Sequence, residues 1–408
     1  MRQAWRGLAL LAVGALTMGG SVALAHDRGG HGKGNGNGNG ALAPTIFTMA
    51  ASHGNPPVVD ASPEGVAFDK KSGRFFVSRT GSGAIFSGTL DNTTLQPFIE
   101  GTGSGSSSPL ATGLKVRNGL LYVAGASTGE IRVYDIANPT KAPIVFQTGG
   151  GFINDLDLDS DGNIFATDST KSFVYMVPAA AVKAGGGAVV PIDLSATITS
   201  DPAAFNLNGI VVKGDDELIL VQSNTGQLWR VKFPDNANND DNDDHGDDNK
   251  AHAAQAPTPA PAALPAPKVE EIKVDGGPLT GGDGLLLDRG RLLVVRGGTD
   301  DHANGAVDVV KLRHHRTRGE VQNEFSDPSF AGPSTIARAR NLLLVVNANF
   351  AGAATATQFT VTGIARNGVR GGGHHGNGGG GDGGGDGGGD GGGHGGGDGG
   401  HGSGHGGH

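Results

Sequence analysis

One short motif, a strand, a tight polar turn and a second strand, recurs six times along this chain of 408 residues. The first copy reads PEGVAFDKKSGRFFV. Aligning the six copies places one polar residue at the head of each first strand: Glu64, Thr112, Asn154, Asn208, Asp283 and Ser334. These residues, which we call the ring residues, are 48, 42, 54, 75 and 51 positions apart. Such a period indicates a repeat architecture, in which no unit buries its apolar face without a neighbour.

Each hairpin is followed by two more strand-like runs, such as AIFSG and LQPFIE in the first unit. Four strands at a period of roughly 40–50 residues are typical of a β-propeller blade. Helical periodicity is nearly absent. The sequence therefore predicts an all-β fold, a six-bladed β-propeller over residues 44–370. Its last unit shows three obvious strands, and TIFTMA at Thr45–Ala50 is predicted to add the fourth and close the ring. A β-sandwich or an open sheet is the alternative.

Several segments stand outside this repeat. Residues 1–25 read as a signal peptide, with Arg2 and Arg6 before an apolar run and an Ala-Leu-Ala site at its end, which predicts a secreted or periplasmic protein. Three segments contain too few apolar residues to form a core and are predicted to be disordered. They are the Gly/Asn-rich residues 26–43, the acidic and Ala-Pro insert 235–267, and the Gly/His/Asp-rich tail 371–408. The insert also accounts for the long interval of 75 residues.

Composition narrows the possible partners. The chain has no cysteine, so an exported protein would depend on its core or a bound metal for stability, not on disulfides. A net charge of −9 argues against nucleic-acid binding, and no segment after the signal peptide is apolar enough to span a membrane. Serine-triad and nucleotide-binding motifs are absent from the sequence. We expect a monomer that acts on a small molecule.

The ring residues are the candidate site. In a propeller the first strand of each blade lines the central channel, and its opening residue points toward the axis. All six carry a side-chain oxygen, and four are carboxylates or amides: Glu64, Asn154, Asn208 and Asp283. Ca²⁺ takes about six to eight oxygen ligands, so two carboxylates and two amides at one point suit it, whereas zinc favours Cys or His. The alternative is that each residue simply caps a strand or forms a turn.

The motifs PEGVAFD, INDLDLDSDGN, NLNGIVV and GGDGLLLD resemble those of the senescence marker protein, gluconolactonase and regucalcin family. That family consists of six-bladed, calcium-dependent propeller hydrolases, and the resemblance covers about residues 55–350. It implies one catalytic divalent ion, Ca²⁺ or another, at the propeller axis. The implied ligands are Glu64, Asn154, Asn208 and Asp283, with Asp283 as the general base or the residue that positions the water.

Two departures separate this chain from the family pattern. Asp155 stands where many relatives have Gly, and GLKVRNGLLYVAG offers no match for the substrate-contacting Arg and Asn of the second blade. The resemblance implies a metal-dependent hydrolase in which the cation polarises a lactone or ester carbonyl for attack by water. Loops between second and third strands, such as residues 222–226, would shape its pocket. The alternative is a non-catalytic secreted propeller that binds a ligand or protein and holds the ion for structure.

Three other sequence features resemble functional sites, but a plainer interpretation is favoured for each. DLDSDGN at residues 157–163 matches the start of an EF-hand loop, with Asp168 at its twelfth position, but flanking strands favour an Asp-Gly β-turn. Histidines of the tail could bind Ni²⁺, Cu²⁺ or Zn²⁺ loosely, although a solvated tail fits its glycine content better. His302 lies on a predicted pocket loop, where a surface position is favoured over a proton shuttle.

Overall fold

A computed structural model describes residues 43–50, 52–53, 58–59, 62–101, 110–234, 265–298, 303–350, 352, 356 and 358–367. The predicted signal peptide, residues 26–42, residues 235–264 of the insert and the tail 371–408 lie outside this part of the chain. The described elements are strands, apart from one α-helix, α1 (Ala179–Ala184), and a 3₁₀ turn (His314–Arg316). The all-β prediction is therefore confirmed.

The chain enters through β1 (Thr45–Ala50) and a small hairpin, β2 (Ser52–His53) and β3 (Val58–Val59). Three antiparallel four-stranded sheets then follow in chain order. The first contains β4 (Pro63–Asp69), β5 (Arg74–Arg79), β6 (Ile85–Thr89) and β7 (Gln96–Ile99). The second contains β8 (Leu114–Arg117), β9 (Leu120–Ala124), β10 (Glu130–Asp135) and β11 (Ile144–Gln147). The third contains β12 (Ile153–Leu158), β13 (Ile164–Asp168), β14 (Phe173–Val177) and β15 (Val190–Asp193).

The fourth and fifth units share one sheet. The fourth unit contains β16 (Leu207–Lys213), β17 (Glu217–Gln222), β18 (Gln227–Lys232) and β19 (Lys268–Asp275). The fifth contains β20 (Gly282–Asp288), β21 (Arg291–Arg296), β22 (Ala306–Arg313) and β23 (Arg318–Phe325). Parallel pairing of β19 with β23 joins them into eight strands. The sixth unit contains β24 (Pro333–Ala339), β25 (Leu342–Asn347) and β26 (Gln358–Ala365), with β1 outside β26.

The eight-stranded sheet departs from the prediction of six separate blades. Its junction is short, since only three residue pairs connect the two outer strands: Lys273↔Arg318, Val274↔Gly319 and Asp275↔Glu320. Gly319 helps to make it possible, because a Cβ there would lie 2.9 Å from Val310 Cγ1 and 3.3 Å from Val274 Cγ2. The described residues thus form four sheets of four strands, one of eight and the small hairpin.

The first strands of the units are arranged as in a propeller. Contacts run from β4 to β8, β12, β16, β20 and β24, and β24 contacts β4 again. Six hydrophobic clusters fill the spaces between neighbouring units, and one of them lies between the sixth and the first. Alternating strand residues face these spaces, so each unit is buried on both faces by its neighbours.

The N-terminal strand closes the ring as predicted. β1 pairs with β26 over six residues, from Thr45↔Gly363 to Ala50↔Gln358. Phe47 and Met49 of β1 are buried in the cluster between the sixth and first units. The fully buried Arg79 adds a second link, because its Nη1 donates to the Ala50 carbonyl at 3.2 Å. Without β1, the edge of β26 would be unpaired.

Candidate functional site

The four predicted metal ligands occupy the same place in four first strands. Each is the second residue of its strand: Glu64 in β4, Asn154 in β12, Asn208 in β16 and Asp283 in β20. The exposed fractions of Glu64, Asn154 and Asn208 are 6%, 5% and 8%. Because these strands contact one another in ring order, their first residues lie at one end of the fold, which we call the ring end. The hairpin turns after the first strands lie at the other, the turn end.

A β-bulge changes the strand direction at the ring position of most units. Strand pairing is interrupted over two residues in five of the six units, and both residues are the ring residue and its successor. In the first unit, for example, Pro63 pairs with Arg79 and the next regular pair is Val66 with Val77. An extra residue bends the strand and turns its side chain, and bulges are common beside functional sites. The bulges therefore set the direction of the ring side chains.

The glycine that follows several ring residues has a steric role. A Cβ on Gly65 would lie 2.2 Å from the Thr112 carbonyl oxygen, and one on Gly209 would lie 2.2 Å from that of Asp283. Such separations are far below a van der Waals contact, so any other residue would push the next unit away. Glycine thus allows neighbouring first strands to approach closely at the ring end.

Unpaired oxygens distinguish the four predicted ligands. In the described part of the chain, six buried side-chain oxygens have no hydrogen-bond partner, and four of them belong to this set: Glu64 Oε2, Asn154 Oδ1, Asn208 Oδ1 and Asp283 Oδ1. Leaving a buried acceptor unpaired costs about 1–3 kcal/mol, so four acceptors at equivalent positions could each take a cation or a hydrogen-bond donor such as water. Asn154 is also held in orientation, since its Nδ2 donates to Ser169 Oγ at 2.8 Å.

The other two ring residues behave differently. Thr112 Oγ1 donates to the Ile153 carbonyl oxygen at 3.0 Å, and Ser334 Oγ donates to the Glu64 carbonyl oxygen at 2.9 Å. Both hydroxyls therefore tie one unit to the backbone of the next. Their role is structural, whereas the carboxylate and amide oxygens remain available.

Burial and nearby carboxylate charges raise the pKa of both ring carboxylates. Burial raises the pKa of Glu64 well above its usual value, and the charges of Asp283 and Asp155 add to this shift. Burial also raises the pKa of Asp283 well above its usual value, and the charge of Asp155 adds to it, while a hydrogen bond with Asn208 opposes it. A cation between these groups would reverse both shifts.

Two charged residues beside the ring were not predicted as part of the site. Asp155 is 5% exposed, its Oδ1 accepts from the Leu156 amide at 2.8 Å, and its Oδ2 has no hydrogen-bond partner. Burial alone would lower the pKa of Lys115, but the charges of Asp155, Asp157 and Glu64 outweigh it and raise that pKa. The sequence signal for this pair was an aspartate at position 155 where glycine is common, because a charge at that position needs a partner.

A sixth unpaired oxygen, Asn224 Oδ1, lies in the loop between β17 and β18. The neighbouring Ser223 Oγ donates to the carbonyl of Gly282, the residue before Asp283. This loop belongs to the set predicted to shape a pocket at the ring end. Sequence reasoning named the loop but not Asn224, because nothing local marks its amide as buried.

The donor set fits a hard divalent cation. Carboxylate and amide oxygens are the ligands that Ca²⁺ and Mg²⁺ prefer, and neither a thiolate nor an imidazole belongs to the four. Within the described residues, no group of three or more His, Cys, Asp or Glu side chains is arranged to hold a metal ion. A site here would therefore depend on two amides as well as two carboxylates, with water or substrate completing the shell.

The structure describes the EF-hand-like motif, but not the histidines that were considered as site residues. Asp159 accepts from the Gly162 and Asn163 amides at 2.9 and 2.8 Å, so DLDSDGN forms a hairpin turn, as predicted. Asp168 is fully buried and accepts from the Gly151 and Phe152 amides, which holds a neighbouring loop. His302 and the tail histidines lie outside the described residues.

No helix among the described residues has the length and apolar content needed to cross a membrane. No protein-family model matches the sequence, and no curated protein matches it. Solved structures resemble the fold. A luciferin-regenerating enzyme superposes with a TM-score of 0.51 at 12% identity, over 79% of this chain and 96% of that chain.

Two further structures are more distant. A gluconolactonase from Xanthomonas campestris has a TM-score of 0.48 at 13% identity, over 80% of this chain and 96% of that one. Virginiamycin B lyase from Staphylococcus aureus has a TM-score of 0.46 at 10% identity, over 79% and 99%. At 12% identity the likeness to the luciferin-regenerating enzyme concerns the fold alone, and it agrees with the propeller-like arrangement of the described strands.

Proposed function

We propose that the chain is a six-bladed propeller whose fourth and fifth blades are joined at their outer edges. Six interfaces between consecutive units, each with its own apolar cluster, support this count. The junction of β19 and β23 covers only three residue pairs, whereas β22 and β23 pair over seven. Edge pairing of this kind adds hydrogen bonds at the rim and leaves the ring end unaltered.

We infer that Glu64, Asn154, Asn208 and Asp283 hold a divalent cation, and that Ca²⁺ is the best candidate. The four unpaired buried oxygens carry this proposal. Two carboxylates would offset the charge of the cation, and two amides would add oxygens without repulsion. Lys115 alone does not neutralise the ring, because the pKa of Glu64 stays well above its usual value despite the opposing charge of Lys115.

The function that this arrangement supports best is metal-dependent hydrolysis of a lactone or ester. When bound, a divalent cation acts as a Lewis acid on a carbonyl oxygen. Asp283 would also take a proton from the attacking water as general base. Asn208 would hold Asp283 in place by the hydrogen bond that the two side chains share. The signal-like residues 1–25 support export of the enzyme.

A panel of small lactones and aryl esters tests this function, with turnover measured before and after chelation. We expect hydrolysis that is lost with a chelator, restored by Ca²⁺ and reduced in Asp283→Asn. Asp161→Asn is the matched control, because it removes the same charge from an exposed turn of the third unit. Turnover that is insensitive to chelation would contradict the proposal. Ca²⁺ binding without turnover would favour the non-catalytic propeller, with the ion as a structural element.

A further inference from the structure

A cavity of about 430 Å³ lies at the turn end, between the sixth and first units and away from the ring residues. Its lining consists of one aromatic and four cationic side chains: Phe68, Lys70, Arg338, Arg340 and Arg366. Four cations around one cavity repel one another, and their mutual repulsion needs a compensating charge.

The carboxylates near the cavity supply only part of that charge. Asp288 is shared between Arg366, whose Nε donates to it at 2.7 Å, and Arg338, whose Nη1 lies 3.6 Å away. Asp69, beside Lys70 in sequence, accepts instead from the Lys71 and Ser72 amides at 3.1 Å. Among the described residues, neither Lys70 nor Arg340 makes an ion pair or a side-chain hydrogen bond.

The backbone at Arg340 determines where its side chain lies. Arg340 has a φ of +56°, the left-handed region, in the two-residue turn between β24 and β25. Glycine or asparagine normally fills such a position, because a larger side chain costs free energy there. Arg289 adopts the same conformation, with a φ of +51°, in the equivalent turn of the fifth unit, so the conformation belongs to the hairpin. At Arg340 the turn places a guanidinium in the cavity lining.

We propose that this cavity binds a multivalent oxyanion of the phosphate class. Guanidinium groups present paired N–H donors that match phosphate oxygens, and an ammonium adds a point charge. Lys70 and Arg340 supply the unpaired positive charge, Arg338 and Arg366 extend it, and Phe68 forms an apolar wall. The volume of about 430 Å³ admits an anion larger than a single phosphate ion, so a diphosphate group is the smallest ligand expected to use all four cations.

Calorimetric titration with inorganic pyrophosphate tests the proposal, using the full-length chain in metal-free buffer so that a ring-bound cation cannot attract the anion. We expect one saturable site whose affinity falls at least tenfold in Arg340→Asn. Asparagine tolerates the left-handed turn, so this variant should melt at the wild-type temperature or above it. Lys70→Gln should weaken binding to a similar degree without altering the fold, because Lys70 is exposed.

Lys71→Gln is the matched control. It removes one exposed positive charge from the adjacent turn residue, which does not line the cavity. Its affinity for pyrophosphate should stay within about twofold of wild type, because solvent and salt screen an exposed charge that does not contact the anion. The proposal is wrong if pyrophosphate shows no saturable binding at millimolar concentration. It is equally wrong if Lys71→Gln weakens binding as much as Arg340→Asn does.

Discussion

Two buried glutamates, one at each end of the fold, have opposite surroundings. Glu217, at the turn end, is 1% exposed, and its Oε2 accepts from Arg230 Nε at 2.8 Å and from Arg316 Nη2 at 2.7 Å. Glu64, at the ring end, is 6% exposed, and its Oε2 has no partner. Burial alone would raise the pKa of Glu217, but hydrogen bonds from Arg316 and Arg230 lower it, whereas the pKa of Glu64 is raised.

This difference separates a structural carboxylate from one that is available to a ligand. Arg230 lies in the fourth unit and Arg316 in the fifth, so Glu217 joins two units through charges that the chain itself provides. At the ring end, Glu64 and Asp155 face the charge of Lys115, while Asp283 has the like charge of Asp155 beside it. A buried carboxylate with resident cations stabilises the fold, and one without them is the better candidate for a functional site.

The largest expected effect lies at the ring end. Asp283→Asn keeps an oxygen at the site but removes one charge and the proposed general base. We expect any lactone or ester hydrolysis to fall by about 10²–10⁴-fold, the usual contribution of a general base. Ca²⁺ binding, measured by calorimetry, should weaken as well. Turnover at the wild-type rate in this variant would show that Asp283 is not the general base.

The matching change at the turn end is Glu217→Gln, which should affect stability and not hydrolysis. It leaves two buried or half-buried guanidinium groups without their shared charge. Breaking such a pair costs about 3–5 kcal/mol, which urea denaturation would report. A loss below 1 kcal/mol would mean that solvent already compensates the arginines and that the comparison with Glu64 fails.

The effect of Glu64→Gln on stability should depend on whether the metal is present. In metal-free buffer Glu64→Gln should match or exceed wild type in stability, because an unpaired buried carboxylate is replaced by a neutral amide. With Ca²⁺ at 100 times its Kd, wild type should gain about 2.7 kcal/mol and the variant much less. Thermal melts with chelator and with Ca²⁺ give both values. A destabilised metal-free variant would show that Glu64 has an internal partner.

The smallest expected effect is a pH dependence at the turn end. Because the folded pKa of Glu217 lies below its unfolded value, its charge stabilises the fold above the unfolded pKa. That contribution is lost as pH falls through the lowered, folded pKa. The stability difference between wild type and Glu217→Gln should therefore be constant near neutral pH and shrink under acid conditions. A difference that grows on acidification would mean that folding raises the pKa of Glu217 and does not lower it.

Much of the strand pattern could be predicted, because its signals are local. PEGVAFD and the run after its turn correspond closely to β4 and β5, since alternating apolar residues and a polar turn determine a hairpin. The short helix α1 was missed. Its alanines favour helix, and Gly185, with a φ of 78°, ends it in the left-handed conformation. Six residues are too few to show helical periodicity.

The candidate site was predictable in part. Equivalent positions in repeated hairpins identified Glu64, Asn154, Asn208 and Asp283 without any knowledge of their contacts. Lys115 was missed, because a lysine in a strand is usually solvated and only the tertiary structure shows that its neighbours partly bury it. Its partner Asp155 belongs to a different unit, 40 residues later, so no local pattern links the two.

By itself, the sequence determined the repeat, the all-β class and the six ring residues, because period, turn chemistry and strand alternation act over a few residues. Only the tertiary structure decided which ring oxygens are satisfied. The Ser334 hydroxyl donates to the Glu64 carbonyl 270 residues away, while Glu64 Oε2 has no hydrogen-bond partner. It also decided that β19 and β23 meet and that Lys70 and Arg340 share a cavity. Such contacts depend on ring closure, which brings distant strands together and which no local signal encodes.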